Sequence, residues 1–298
     1  MSAKRVVITG ASGLIGGALT ASLRADGVEV THLVRRAPAA PHEVRWQPGT
    51  AALDPAVLAG ADAVVNLNGA SIGKLPWGRR YRETLRSSRI DPTRTLATAI
   101  RELGPEAPHF VSASGISFYG SRPGVTLTEA SASGDTFLAQ LCVEWEREAL
   151  GASSAARVAL LRTPPVLHPQ GVLKPLVLLT KLCVSGPLGR GTQVWPWITL
   201  DDEVRAIRHI IDHGIEGPVN MTGPELVTAN ETGRELSRQL RRPFLLPAPA
   251  WALRLALGRD AADSLLLSDT AAVPEVLHDT GFTFEQPTLA VGIAAGLG

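Results

Sequence analysis

Val6-Val7-Ile8-Thr9-Gly10-Ala11-Ser12-Gly13-Leu14-Ile15-Gly16 is a short apolar run that enters spaced glycines and leaves into a helical stripe. The first glycine permits a tight turn, the second lets backbone approach a pyrophosphate, and the third lets the helix pack closely on the strand. A pyrophosphate would then sit on the positive end of the helix that begins near Leu14. Gly10, Ser12, Gly13, Leu14, Ile15 and Gly16 are therefore the expected cofactor-binding loop. A glycine turn without a ligand has similar local chemistry, and the flanking strand and helix favour the ligand.

Moving outward, Arg35-Arg36 follows the apolar run around Val30–Val34, about twenty residues on, where an NAD-binding chain places an acid for the ribose hydroxyls. An arginine there suits a 2′-phosphate, because its fork pairs with phosphate while an acid would repel it. The expected cofactor is therefore NADP(H), with Arg35 the better placed of the two and Arg36 in support; a solvated arginine pair is the alternative. Further strands are expected at 5–9, 29–33, 63–66, 109–112 and 158–162, with helices at 14–26, 92–103 and 136–150. This alternation predicts an α/β, doubly wound parallel Rossmann sheet over residues 1–166.

After Arg162, Pro164, Pro165, Pro169, Pro175, Pro187 and Pro196 break the chain into short segments. A helix at 201–213 and a strand at 218–221 are expected to complete the sheet, so that about 197–221 returns to the first domain. Residues 167–196 and 222–298, with helices near 229–240 and 249–257, form the expected smaller, discontinuous C-terminal substrate lobe.

Composition narrows the partners. With 29 Lys and Arg against 28 Asp and Glu in 298 residues, there is no basic stripe for nucleic acid and no acidic tail. The apolar run at Val6 is too short for an export signal, and the window from Leu173 is interrupted by Lys174, Pro175 and Lys181, so no membrane span is expected. Cys142 and Cys183 lie far apart, which signals neither zinc nor a disulfide and makes a cytoplasmic setting the expectation. No metal site is expected: His209 and His213 fall four apart on a helix without a third ligand.

Val65-Asn66-Leu67-Asn68-Gly69-Ala70 and Ser112-Ala113-Ser114…Tyr119-Gly120 follow later strands, and Ser88-Arg89-Ile90, Trp145-Glu146, Leu161-Arg162 and Trp195-Pro196-Trp197-Ile198…Asp201-Asp202 come in order around them. With the glycine loop, these resemble the extended, atypical short-chain dehydrogenase/reductases, and more closely their nucleoside-diphosphate-sugar epimerase branch. The resemblance covers almost the whole chain. It implies that Leu67, Asn68 and Gly69 lie on the adenosine side of the cofactor, that Arg89 reaches it from the following helix, and that Val166 lies near the nicotinamide. It also implies an oxidoreductase or epimerase acting on a nucleotide sugar or a related small carbonyl or polyol.

The chain departs from the superfamily at the catalytic helix. There a tyrosine and a lysine four residues later exchange a proton with substrate while nicotinamide exchanges hydride. Here Phe137 with Leu141, or Leu138 with Cys142, occupies the pair. The remaining catalytic candidates are Ser114 and the phenol of Tyr119, with local turn and aromatic-wall roles as their alternatives. Arg79, Arg80, Arg82, Arg86 and Arg89 around Trp77 and Tyr81 fit a small anionic substrate as well as a solvated helix face. The rival reading is a non-catalytic NADP(H)-binding regulator or scaffold, and the oligomeric state stays open.

Overall fold

Residues 3–297 are described by a computed structural model. β1 (Arg5–Thr9) runs through the glycine loop into α1 (Leu14–Ala25), followed by β2 (Glu29–Val34), β3 (Glu43–Arg45) and β4 (Ala63–Asn66). Next come α2 (Arg79–Glu102), β5 (His109–Gly115), β6 (Thr126–Leu127), α3 (Phe137–Leu150), β7 (Val158–Thr163) and β8 (Val166–Leu167). Then follow α4 (Leu173–Lys181), β9 (Ile198–Thr199), α5 (Leu200–His213), β10 (Gly217–Asn220), α6 (Ala229–Gln239) and α7 (Ala250–Leu257). The chain closes with α8 (Arg259–Leu265), β11 (Ala271–Ala272), α9 (Glu275–Asp279) and α10 (Leu289–Leu297).

Seven strands pair in the order β10-β7-β5-β4-β1-β2-β3, and every pair is parallel. A parallel sheet must be covered on both faces, and β1 shows how the sequence meets that demand. Val6 and Ile8 pack with Leu19, Ile207 and Leu277 on one face, while Val7 packs with Leu96, Ile100 and Phe110 on the other. Chain order reverses between β1 and β4, so the switch point lies at their C-terminal ends, where open α/β sheets take ligands.

Four local expectations need correction. α2 begins at Arg79, and Pro92 lies inside it, not at its start. A proline there removes one intrahelical hydrogen bond, but packing on both sides of it holds the helix: Leu85 meets Leu138 and Leu141 before it, and Leu96 shares a core with Ala149 after it. Edge strand β3 is three residues long, too short for a period to show. α4 forms within the proline-rich region, with Pro175 in its first turn. Thr199 caps α5 by accepting from the Asp202 amide, so the helix expected from 201 begins at Leu200.

Beyond the sheet, β8 pairs with β9 and β6 with β11. Leu167, Leu173, Trp197, Val227, Leu236, Leu289 and Ile293 make a separate apolar core. Leu277 and Phe282 return to the main core instead. No helix among the described residues is long and apolar enough to cross a membrane.

The glycine loop supplies a test of how α1 is seated. A Cβ on Gly16 would lie 2.4 Å from the Gly10 carbonyl oxygen and 2.8 Å from Ala11 Cα, whereas one on Gly17 would meet nothing closer than 3.7 Å. Gly16→Ala is expected to lower Tm by about 5 °C or more, and Gly17→Ala to hold or raise it through helix propensity. Equal melting curves for the two variants would contradict this seating.

Candidate functional site

The switch point is built from β1 and β4 and the loops that leave them. Gly10 has φ +74°, and a Cβ there would fall 2.5 Å from the Leu67 carbonyl oxygen, so only glycine lets the two loops touch. Gly13 differs: its φ is ordinary, and a Cβ would meet only the Gly10 oxygen, at 3.2 Å. It is the exposed N-cap of α1 and carries no side-chain cap. The first-turn amides of Leu14, Ile15 and Gly16 therefore have no intrahelical partner and carry the positive end of the helix dipole. Ser12 is exposed beside them.

Arg35 and Arg36 part company at the end of β2. Arg36 forks onto Glu43, with Nη1 2.7 Å and Nη2 2.5 Å from its two oxygens, and this pairing holds the Glu43 carboxyl down at about 2. Arg35 is exposed and makes no hydrogen bond or ion pair among the described residues.

Beneath the loops lies a buried amide network. Asn66 accepts from Thr9 Oγ1 at 3.0 Å and donates to Thr93 Oγ1 at 2.7 Å and Ser112 Oγ at 3.2 Å, tying β1, β4, β5 and α2 together. Asn68 turns its amide inward, donating to Thr9 Oγ1 at 2.5 Å and Asn66 Oδ1 at 2.9 Å. Arg89 runs under Gly69, where a Cβ would lie 3.1 Å from its Cζ. It donates to the Leu85 and Ala70 carbonyls and lies over the Trp145 ring. Burial lowers its pKa, yet an arginine stays cationic at neutral pH. Val166 is half-buried, and the turn after it brings Gly171 against the Leu14 side chain. Gly10 to Gly16, Leu67 to Gly69, Arg89 and Val166 thus converge on the switch point.

The two catalytic candidates do not share one surface. Ser114, at the end of β5, donates to Glu146 Oε1 at 2.7 Å. Glu146 in turn receives Arg162 Nε at 2.9 Å and Nη2 at 3.0 Å. Arg162 Nη1 donates to the Tyr119 hydroxyl at 2.8 Å and the Glu129 carbonyl at 3.1 Å, with its plane 3.6 Å from the Phe118 ring centre. Tyr119 has no exposed surface, and its hydroxyl lies 2.7 Å from Asn220 Oδ1 and 3.0 Å from the Thr128 carbonyl. Burial raises the phenol pKa. Cys142 is the helix residue that faces the Ser114–Gly115 strand end, and burial pushes its thiol up to about 12, so it stays protonated.

Glu146 and Arg162 were legible in the sequence only as pieces of a resemblance, without roles. Asn66 did carry a signal, as an amide closing the apolar run Ala63-Val64-Val65. Glu203 carried none, because Asp201-Asp202-Glu203 reads as acids favouring a helix N-terminus. Its side chain is fully buried, with Oε1 accepting from Thr163 Oγ1 at 2.8 Å and Oε2 unpartnered. Unpaired burial disfavours the anion and pushes the carboxyl up to about 8.

The arginine cluster is mostly committed to its own chain: Arg79 pairs with Glu83, Arg82 with Asp260 and Arg86 with Glu144. A cleft of about 440 Å³ nevertheless opens between Trp77, Arg79, Arg82, Arg86 and Phe137. It joins the N-terminal ends of α2 and α3, which in a parallel sheet lie at the same edge as the glycine loop.

The chain as a whole is similar to known proteins. The family model described as NAD dependent epimerase/dehydratase family matches residues 6–222, and a domain of unknown function (DUF1731) matches residues 248–295. An epimerase family protein of Mycobacterium bovis is 41% identical over 294 residues, 97% of each chain. The human epimerase family protein SDR39U1 (isoform2), solved with NADPH, aligns at a TM-score of 0.88 and 28% identity over 98% of both chains. A nucleoside-diphosphate sugar epimerase from Corynebacterium glutamicum aligns at 0.80 and 34% identity, over 100% of this chain and 59% of its own.

Glu203 makes the stability of this edge depend on pH. The folded state holds its proton up to about pH 8, whereas an unfolded chain releases it near pH ~4.3. Between those values the native state binds more protons, so this group's contribution to stability falls as pH rises. Glu203→Gln is expected to raise Tm at pH 8 by about 5 °C over wild type and to lose that advantage near pH 4.5. A pH-independent difference in calorimetric melting would remove Glu203 as the titrating group.

Proposed function

The chain belongs to the NAD dependent epimerase/dehydratase family, and from that premise we propose an NADP(H)-holding oxidoreductase or epimerase acting on a nucleotide sugar or a related small carbonyl or polyol. The observation that carries this reading is the uncapped start of α1, where Gly13 leaves open the space a pyrophosphate needs. Arg35, exposed and without a partner among the described residues, suits the 2′-phosphate; Arg36, held by Glu43, is the secondary contact. Leu67, Asn68 and Gly69 would line the adenosine side, Arg89 would approach from below, and Val166 would border the nicotinamide. When bound, the nicotinamide supplies hydride exchange with a carbonyl carbon.

Segments 167–196 and 222–298 are assigned to the substrate side. The cleft at Trp77 and Phe137 is apolar-walled, with Arg79, Arg82, Arg86 and Glu83 at its rim; a small anionic substrate would draw these arginines from their acidic partners. Ser114 is assigned a contact with a substrate hydroxyl, which it would accept on an Oγ lone pair, because its own hydrogen goes to Glu146. Tyr119 is assigned a positioning role, because its buried hydroxyl is already bonded to Arg162 and Asn220. A reducing, cytoplasmic setting fits the two free cysteines, Cys142 and Cys183.

One observation favours a second reading, a non-catalytic NADP(H)-binding regulator. Phe137 with Leu141, or Leu138 with Cys142, occupies the tyrosine and lysine positions, and the nearby phenol of Tyr119 is sealed away.

Nucleotide titration tests the cofactor half. Gly13→Val is expected to stay folded and to lose NADPH affinity by at least about tenfold, and Arg35→Asp to reverse a preference for NADPH over NADH. Calorimetry showing wild-type affinity in folded Gly13→Val, or equal wild-type affinity for both nucleotides, would remove it.

Turnover tests the reaction half. With carbonyl compounds screened against bound NADPH, Ser114→Ala is expected to lower the rate about 10²-fold. Tyr119→Phe should instead cost about 1–3 kcal/mol of stability while NADPH affinity and rate persist. A Tyr119→Phe variant that stays folded but is inactive would return the phenol to the catalytic role. Tight NADPH binding with no oxidation by any compound would favour the regulator.

A further inference from the structure

The parallel register of β2 and β3 sets His32 directly opposite Glu43. His42 immediately precedes Glu43, and its carbonyl accepts from the His32 amide at 2.8 Å. The two imidazoles stand edge to face with centres 5.2 Å apart. One donor atom from each of His32, His42 and Glu43 lies within 4.8 Å of the other two. Sequence spacing pointed to no metal site because this trio is made by strand register.

We propose that His32, His42 and Glu43 form a binding site for a divalent transition-metal ion of the zinc class. The hydrogen bonds around His32 leave the ring in the form a ligand needs. Thr20 Oγ1 gives its single hydrogen to the Gly16 carbonyl at 2.7 Å. The contact of 3.1 Å between Thr20 Oγ1 and His32 Nε2 therefore has the ring as donor. Nε2 carries the proton, and Nδ1 keeps its lone pair. A metal-bound histidine typically donates its other N–H to a fixed acceptor in this way.

Two imidazoles and a carboxylate suit Zn²⁺, Co²⁺ or Ni²⁺, whereas Mg²⁺ and Ca²⁺ take oxygen sets. Tetrahedral zinc at about 2.0–2.1 Å from each ligand needs its donors about 3.4 Å apart. The trio must close by roughly an ångström, and His42, exposed at the start of the edge strand, is the side chain with room to swing. Three protein ligands leave the fourth position to water.

Two cations oppose the ion: Arg24, whose charge acts on His32, and Arg36. Arg36 already holds both Glu43 oxygens, and Glu43 Oε2 also accepts from the Ala39 amide at 2.6 Å. The ion and the guanidinium compete for one carboxylate, so Arg36 must turn outward when the ion binds; its side chain is already 57% exposed.

Titration of chelator-treated full-length protein with ZnCl₂ by calorimetry, and with CoCl₂ by visible absorption, tests the site. One equivalent of Zn²⁺ is expected to bind, with Co²⁺ giving the absorption bands of four or five ligands including nitrogen. His42→Ala and Glu43→Gln should each weaken Zn²⁺ binding at least about tenfold, and Thr20→Val should weaken it about 10–100-fold through the lost support of His32. Arg36→Gln should tighten it by freeing Glu43, and His213→Ala should leave it unchanged. Absence of saturable one-to-one binding in wild type overturns the proposal. So does wild-type affinity in both His42→Ala and Glu43→Gln, or loss of binding in His213→Ala, which would place the ion on α5. Circular dichroism of each variant keeps misfolding from counting as lost ligation.

Discussion

Arg162 and Glu146 face each other across the ends of β7 and α3 with almost no contact with water: 4% and 7% of their surfaces are exposed. Taking two such charges out of solvent costs several kcal/mol per ion in real proteins, and only good geometry offsets it. Here the fork is bidentate, the remaining guanidinium donors reach Tyr119 and the Glu129 carbonyl, and the carboxylate also receives Ser114. Removing either partner would strand the other, at a cost of about 3–5 kcal/mol. The pair therefore holds β5, α3 and β7 in fixed relation. Through Tyr119 and Asn220 it also reaches the Val273 carbonyl beyond β11.

That constraint explains how the site departs from its superfamily. A hydroxyl that donates to a buried carboxylate is well oriented and poorly free, and a phenol without exposed surface cannot meet a substrate. Polar groups at the end of β5 hold the structure together, while the first-turn amides of α1 and, among the described residues, Arg35 stay uncommitted. The chain is thus prepared to hold a dinucleotide, and its side chains around Ser114 are arranged first for cohesion. Among the described residues the polar accounting is left incomplete at Glu203, whose Oε2 is unpartnered while Oε1 meets Thr163, and at Glu129, whose Oε1 accepts from the Asn220 and Val276 amides while Oε2 is unpartnered.

The three glycines of the loop read alike in the sequence and divide in the structure. Gly10 and Gly16 are required by backbone lying 2.4–2.5 Å from where a Cβ would stand, and Gly13 is not. Arg35 and Arg36 likewise read as a pair until Glu43, brought alongside by an edge strand of three residues, takes one of them. Pro92 read as a helix start, although tertiary packing carries the helix through it.

Local signals determined what they physically could. Alternating apolar runs and helical stripes specify strands and crossover helices, and a strand, spaced glycines and a helix specify a dinucleotide loop, because those patterns express one-dimensional periods and backbone freedom. The absence of a tyrosine and lysine from the 136–150 helix was equally legible. What only the tertiary structure decided depends on groups distant in sequence: the Ser114–Glu146–Arg162–Tyr119 chain, the burial of Glu203, and the meeting of His32 with Glu43. Each depends on a contact whose energy arises from desolvation and register, and neither exists until the sheet is assembled.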